Sequence, residues 1–208
     1  MENLVRPHWR WLGYSCESGQ DSMDKDQMLF DAVKRGESLP ALRFFRWANP
    51  ALSYGRTQGI DLQSRTDALA QGLEVVRRPT GGGKVPHGTD LCFSLHWRKE
   101  DPAIPWTISD SYLVIHRWIQ QSLEELGHPT EILPRKCEDE TGWCFQSAVC
   151  YDLVRNGSKV VGGAQWRDAK AALHQGSIQL ALPDASVEVF RRRFESAFGI
   201  AFAETLPC

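Results

Sequence analysis

The chain has 208 residues, 42% of them hydrophobic and 24% charged, with a formal net charge of -2. That length suits a single domain over 1–208 with a core of its own, and the composition is that of a soluble globular protein. Arg191-Arg192-Arg193 is the longest basic block, too small a field for a nucleic-acid partner, and no run approaches the roughly 18 apolar residues of a membrane span.

Residues 1–11 mix charge with aromatics and show no secretory pattern, so the expected compartment is the cytoplasm. There Cys16, Cys92, Cys137, Cys144, Cys150 and Cys208 are expected as free thiols. No Cys-x-x-Cys pair occurs and the cysteine spacing does not fit a zinc finger, so no metal site is expected. In chain order, the first predicted helix covers 23–34 and ends at Gly36. Strands follow over 42–47, 51–54, 74–77 and 91–97, where β-branched, aromatic or alternating apolar residues gather. Ile108, Tyr112, Ile115, Ile119, Leu123 and Leu126 recur at helical steps, with Thr107 or Ser109 as cap and Gly127 and Pro129 as stop. A strand over 130–133 leads into a charged segment, 134–142, read as a mobile loop before Trp143-Cys144. Asn156-Gly157 between apolar runs at 151–155 and 159–161 predicts a hairpin. A strand over 175–182 and a helix over 185–198 complete the series. Hairpin strands with a few helices imply an α+β fold, an antiparallel-rich mixed sheet with helices packed against it.

Two segments carry chemistry. In Arg77-Arg78-Pro79-Thr80-Gly81-Gly82-Gly83-Lys84-Val85-Pro86-His87-Gly88, consecutive glycines let backbone approach a ligand closely and aim N–H groups at a carbonyl or phosphate. Arg77 and Arg78 are suited to offset negative charge; the plainer reading is a flexible hairpin loop. In Lys159-Val160-Val161-Gly162-Gly163-Ala164-Gln165-Trp166, a lysine opens a strand ahead of two glycines, placed to donate to an oxyanion or move a proton. A solvated lysine is its plainer reading. His174-Gln175-Gly176-Ser177 follows.

Together with the helix over 22–34, Leu42-Arg43-Phe44-Phe45-Arg46-Trp47 and Pro50-Ala51-Leu52-Ser53-Tyr54-Gly55, these segments resemble the lipoyl-protein ligase and octanoyltransferase superfamily, which includes biotin-protein ligases. The resemblance spans nearly the whole chain and implies the catalytic-domain fold of those enzymes. It implies that the glycine loop wraps an acyl chain or acyl-adenylate and that Lys159 contacts the reacting carbonyl. Arg77, Arg78, Thr80, Gly81, Gly82, Gly83, His87, Gly162, Gly163, Ala164, His174 and Gly176 would then bind substrate in an apolar tunnel, with the apolar residues of 91–95 and 178–180 as its lining.

The superfamily divides by how the acyl group is activated. Trp143-Cys144-Phe145-Gln146, ahead of Tyr151-Asp152-Leu153-Val154, resembles the nucleophile segment of the cysteine-dependent octanoyltransferases, and Cys144 falls on the nucleophile. A thiolate suits attack on a thioester because the exchange is nearly isoenergetic, and Lys159 nearby would favour it. A buried structural thiol is the competing reading of Cys144. The resemblance implies octanoyl-acyl carrier protein as donor, no cofactor, and a lipoyl carrier domain (glycine cleavage H protein or dehydrogenase E2) as acceptor. Some features lean otherwise. Gly83 is closer to the ligases, Gly88 stands where an aspartate is usual with Asp90 two residues on, and Cys208 closes the chain soon after the last helix. An ATP- and Mg-dependent lipoate ligase, and a non-catalytic module that binds lipoyl domains, therefore stay open. His87 is placed to contact phosphate or an acyl carbonyl, and His174 is as well suited to bracing loops.

Overall fold

The computed structural model describes residues 6–134 and 149–203. Its elements are β1 (His8–Glu17), α1 (Gly19–Arg35), β2 (Ala41–Trp47), β3 (Ala51–Tyr54), α2 (Leu62–Ala70), β4 (Glu74–Arg77), β5 (Val85–His87) and β6 (Leu91–Arg98). They continue as α3 (Ile108–Glu125), β7 (Glu131–Ile132), β8 (Leu153–Arg155), β9 (Ser158–Arg167), β10 (Ala171–Ile178), α4 (Ser186–Phe198) and β11 (Ala201–Ala203). Eight strands form one sheet in the order β11-β1-β2-β6-β10-β9-β8-β7, and β4-β3-β5 form a second. β11, β1 and β2 run parallel and the rest of the large sheet is antiparallel. The fold is α+β, with an antiparallel-rich sheet.

Strand β6 shows why the large sheet has two different faces. Leu91, Phe93, Leu95 and Trp97 alternate with Cys92, Ser94 and His96, as side chains on successive strand residues must. The large apolar set packs under α3 and α4 against Ile115, Trp118, Ile119, Phe190 and Phe194. Each such side chain contributes about 1.5–3 kcal/mol on full burial, and Trp118 Nε1 satisfies its one donor on Phe190 O at 2.9 Å. The small and polar set faces α1, which presents Met23, Asp26 and Phe30. The candidate site forms on that face.

The caps follow from local chemistry. Ser18 accepts from Asp21 N at the start of α1, and Gly36 closes it at φ 75. Thr107 caps α3. Asn156 and Gly157, at φ 51 and 77, make the tight turn between β8 and β9. Sequence periodicity did not reveal β1, α2, β5 or β11. β1 mixes charge and aromatics without clean alternation because its register slips between Trp11 and Tyr14, and α2 buries only Ala68. β10 begins at Ala171, four residues before the predicted strand, because the whole run 171–178 pairs with β6.

Candidate active site

Register across four strands builds the floor of a pocket. Gly162 of β9 opposes Ser177 of β10, Ser177 opposes Cys92 of β6, and Cys92 opposes Phe45 of β2. Directly opposed residues share a face, so the four lie in one row spanning about 14 Å at the usual strand spacing. The next row on the same face runs from Ala164 to the polar Gln175, Ser94 and Arg43. Met23 of α1 and Val85 and His87 of β5 complete a pocket with about 460 Å³ of empty space, the open solvent at its mouth included, with Phe45 and Trp47 in its wall and Lys159 at its border. The apolar residues of 91–95 and 178–180 do not form the expected lining. Leu91, Phe93, Leu95 and Ile178 point into the core on the opposite face, and only Cys92 of that run lines the pocket.

Lys159 reaches the pocket through a local distortion. Val154 opposes Lys159 while Leu153 opposes Val161, so Val160 is an extra residue in β9. A bulge of this kind re-aims side chains. The Lys159 side chain is 3% exposed and its Nζ lies 2.7 Å from Asp152 Oδ2. Asp152 is held in turn by Tyr112, whose hydroxyl donates to Oδ1 at 2.5 Å, and by Val149 N at 2.7 Å. Gly163 N donates to the Tyr112 hydroxyl oxygen at 2.9 Å. A buried ion pair tolerates no loose member, and this one has its carboxylate fixed by two further donors.

The glycine loop is held by its own arginine. Arg78 donates to Ser53 Oγ at 2.6 Å, to Gly81 O at 3.0 Å and to Gly83 O at 2.8 Å. The guanidinium thus ties the loop to β3 as well as bordering the pocket. Gly55 allows the loop to come so close, since a Cβ there would stand 2.2 Å from Gly82 O. Thr80 anchors the loop to the sheet by donating to Gln175 Oε1 at 2.7 Å, and Gln175 donates to Asp26 Oδ2 at 2.6 Å. Burial alone would raise the Asp26 pKa, but Arg43, His96 and Ser94 outweigh it and hold the carboxyl below the usual range.

His87 sits in a second network. Its Nε2 meets Ser53 Oγ at 2.6 Å, its Nδ1 meets Asp90 Oδ2 at 2.8 Å, and its ring stacks on Trp47 at 4.2 Å. Asp90 therefore reaches back to the histidine although Gly88 intervenes in sequence. Burial opposes its charge, yet bonds from His87, Ser177 and Gly88 N hold its pKa well below the ordinary carboxylate value. Burial and the Asp90 charge push the Cys92 thiol pKa well up.

The profile of the lipoyl protein ligase A/B catalytic domain matches residues 18–195. The chain belongs to this family. Among curated relatives, Octanoyltransferase LipM of Exiguobacterium sp. (strain ATCC BAA-1283 / AT1b) is 36% identical over 185 residues, covering 85% of this chain and 67% of the relative. Octanoyltransferase LipM of Carboxydothermus hydrogenoformans is 34% identical over 172 residues, covering 82% and 64%. The chain thus spans about two thirds of the length of these relatives. Among solved structures, lipoate-protein ligase A bound with ATP superposes with a TM-score of 0.70 at 19% identity, covering 98% of this chain and 90% of that one. A bi-partite lipoate protein ligase from Thermoplasma acidophilum, described with its E2 lipoyl domain, gives 0.69 at 18%, covering 97% and 88%. These likenesses show a shared fold.

In this lipoyl ligase A/B domain, the residues singled out in the sequence fall into groups. Arg78, His87, Lys159, Gly162, Gly163, Ala164 and Gly176 border the one pocket. Thr80 and the carbonyls of Gly81 and Gly83 belong to the clamped loop behind it, and Gly82 takes φ 88 at its tip. Arg77 is exposed, its guanidinium 5.5 Å from the Tyr54 ring. His174 lies on the α3 face, stacked on Phe93 and bonded to Gln165, and is not among the pocket-lining residues. Cys144 lies outside the described residues, as do 135–142 of the charged loop. Tyr112, Asp152, Ser53, Trp47, Cys92 and Gln175 shape the site of this family member without having been given a role there from the sequence. For Cys92 and Gln175 a signal existed. Cys92 alternates with the core residues Leu91 and Phe93, and Gln175 is a polar residue within a buried strand.

Proposed function

We propose that this domain transfers an octanoyl group from a thioester donor, octanoyl-acyl carrier protein, to the lysine of a lipoyl carrier domain. The observation that carries this reading is the Lys159–Asp152 pair at 2.7 Å on the border of an apolar pocket. An apolar pocket with Lys159 and Arg78 as charged donors at its border suits an acyl chain with a carbonyl at its head. The names of the octanoyltransferase relatives support the reaction. The E2 lipoyl domain described with the Thermoplasma ligase supports the acceptor class.

In the proposed mechanism the Cys144 thiolate attacks the donor thioester and expels the carrier as its thiolate, leaving the octanoyl group on Cys144. The neutral acceptor lysine amine then attacks that thioester, the Cys144 thiolate departs, the nitrogen gives up one proton to solvent, and an amide forms. Lys159 donates to the carbonyl oxygen as negative charge develops in each step. Arg78 borders the pocket, and Thr80 ties the glycine loop to the sheet behind it. No cofactor takes part, and the reaction belongs to one catalytic unit acting in the cytoplasm. The test incubates the whole protein with octanoyl-carrier in one arm and with octanoate plus Mg-ATP in the other. An octanoyl mass increment on the protein in the first arm, absent in Cys144→Ala, is expected. Pyrophosphate release in the second arm, with Cys144→Ala as active as the parent, would replace this reading with ATP-dependent ligation.

A further inference from the structure

We propose that His87, Asp90 and Cys92 form a binding site for a thiophilic divalent cation, opening into the pocket. All three are buried, and their ligand atoms lie within 4.8 Å of one another. His87 Nδ1 is 2.8 Å from Asp90 Oδ2, Cys92 Sγ is 3.1 Å from that oxygen, and Sγ is 3.7 Å from Nδ1. Zinc bonds of about 2.0–2.3 Å place tetrahedral ligand atoms about 3.3–3.7 Å apart. The trio therefore opens by about half an ångström or less to admit a cation. One imidazole, one carboxylate and one thiolate select zinc or cobalt over magnesium or calcium.

The surroundings are those of a built site. Asp90 Oδ2 lies among three donors at once, since Ser177 Oγ also approaches it at 2.6 Å. A cation replaces two of those donors and leaves Ser177 in place. Each ligand has an outer partner that fixes its orientation: Ser53 Oγ on His87 Nε2 at 2.6 Å, Gly88 N on Asp90 Oδ1 at 3.0 Å, and Trp47 Nε1 on Cys92 Sγ at 3.3 Å. His87 and Cys92 both line the pocket, so the fourth position faces it and is filled by water or by a donor from a ligand. On binding, the imidazole proton sits on Nε2, where Ser53 Oγ accepts it, and the Cys92 thiol proton passes to solvent. Cys92 is also a floor residue of the row from Gly162 to Phe45. Cation and acyl chain therefore exclude one another, an exclusion that rests on the proposed acyl binding.

The test titrates the metal-free full chain with Co²⁺, since cobalt bound to thiolate absorbs in the near ultraviolet. One equivalent is expected to produce the thiolate-to-cobalt band, Zn²⁺ to abolish it, and Cys92→Ser to lack it while retaining the parent's circular dichroism. His87→Gln serves as the second variant if Cys92→Ser does not fold, with the same loss expected. A folded parent with no thiolate band, or a band that persists in the folded variant, overturns the site. Saturating octanoate is expected to remove the band, and a band that survives it overturns the exclusion. Octanoyl transfer measured separately in chelator keeps the two readings apart, because its failure would sink the acyl reading without touching the cobalt band.

Discussion

Lys159 occupies the space that a side chain on Gly162 would need. A Cβ built on Gly162 stands 2.4 Å from Lys159 Cε and 2.7 Å from its Nζ. The ammonium lies flat over the first floor residue because that residue is glycine. Asp152 then fixes where along the strand it comes to rest.

Gly162→Ala is accordingly expected to act on activity more than on stability. The atom it meets is the far end of a flexible side chain, so the ammonium shifts while keeping its carboxylate partner Asp152, and the fold survives. A displacement near 1 Å at a reacting group costs roughly 100-fold in rate. Gly176→Ala is the contrast. Its Cβ would stand 2.2 Å from Cζ of the fully buried Phe93 ring, an overpacking that costs about 1–3 kcal/mol. Octanoyl transfer rates and thermal midpoints of the two variants, measured side by side, separate the effects. Equal losses of midpoint would contradict the assignment.

Tyr112 acts through Asp152. Its hydroxyl is one of the donors that fix the carboxylate beside Lys159, and a hydrogen bond to a charged group contributes about 1.5–3 kcal/mol. Tyr112→Phe should lower stability by that order. It should also shift the pH dependence of transfer, because the electrostatic surroundings of the ammonium change. A variant with the parent's pH profile and a lower midpoint alone would reduce Tyr112 to packing.

Acid should weaken the fold through two histidines. Burial holds the His116 ring down to about 4, and burial with the neighbouring charges holds His174 well below the histidine range. The unfolded chain protonates these rings near pH 6.5, so the full contribution is present above that value. It is lost as pH falls from about 6.5 towards 4, by up to about 1.4 kcal/mol per unit per ring. Asp26 and Asp90, held low in the fold, add their loss only below about pH 4. Denaturant midpoints across this range check the slope. His116→Asn, which keeps a donor for Tyr151 O, should remove about half of it.

Phe45 should gauge chain length. From Gly162 to Cys92 the floor runs two strand spacings, about 10 Å, near the reach of an extended chain of eight carbons, and Phe45 stands in the next place of the row. Phe45→Leu is expected to raise the decanoyl to octanoyl turnover ratio. An unchanged ratio with both substrates turned over would remove Phe45 from the role.

The sequence was most legible where chemistry is local. The Asn156-Gly157 turn, the Gly36 stop and the amphipathic face of α3 each depend on neighbours in the chain, and all formed as predicted. The three long helices were visible for the same reason. The pocket floor was not legible, because Gly162, Ser177, Cys92 and Phe45 meet only through the register of four strands. Period-two alternation showed that residues of 91–95 must face two ways, without showing which face would carry the pocket. Asp90 was noted only as a carboxylate two residues beyond Gly88, and its return to His87 depends on the turn geometry of β5 into β6.

The central claim is that Lys159, seated by Gly162 and Asp152, serves the reacting carbonyl. The most direct measurement is the mass of a lipoyl domain after incubation with octanoyl-carrier and either the parent protein or Lys159→Met, whose side chain fills the same space without charge. The parent should add one octanoyl group to the carrier lysine, and the variant, still folded, should do so at least roughly 100-fold more slowly. A folded Lys159→Met that modifies the lipoyl domain at the parent's rate would contradict it.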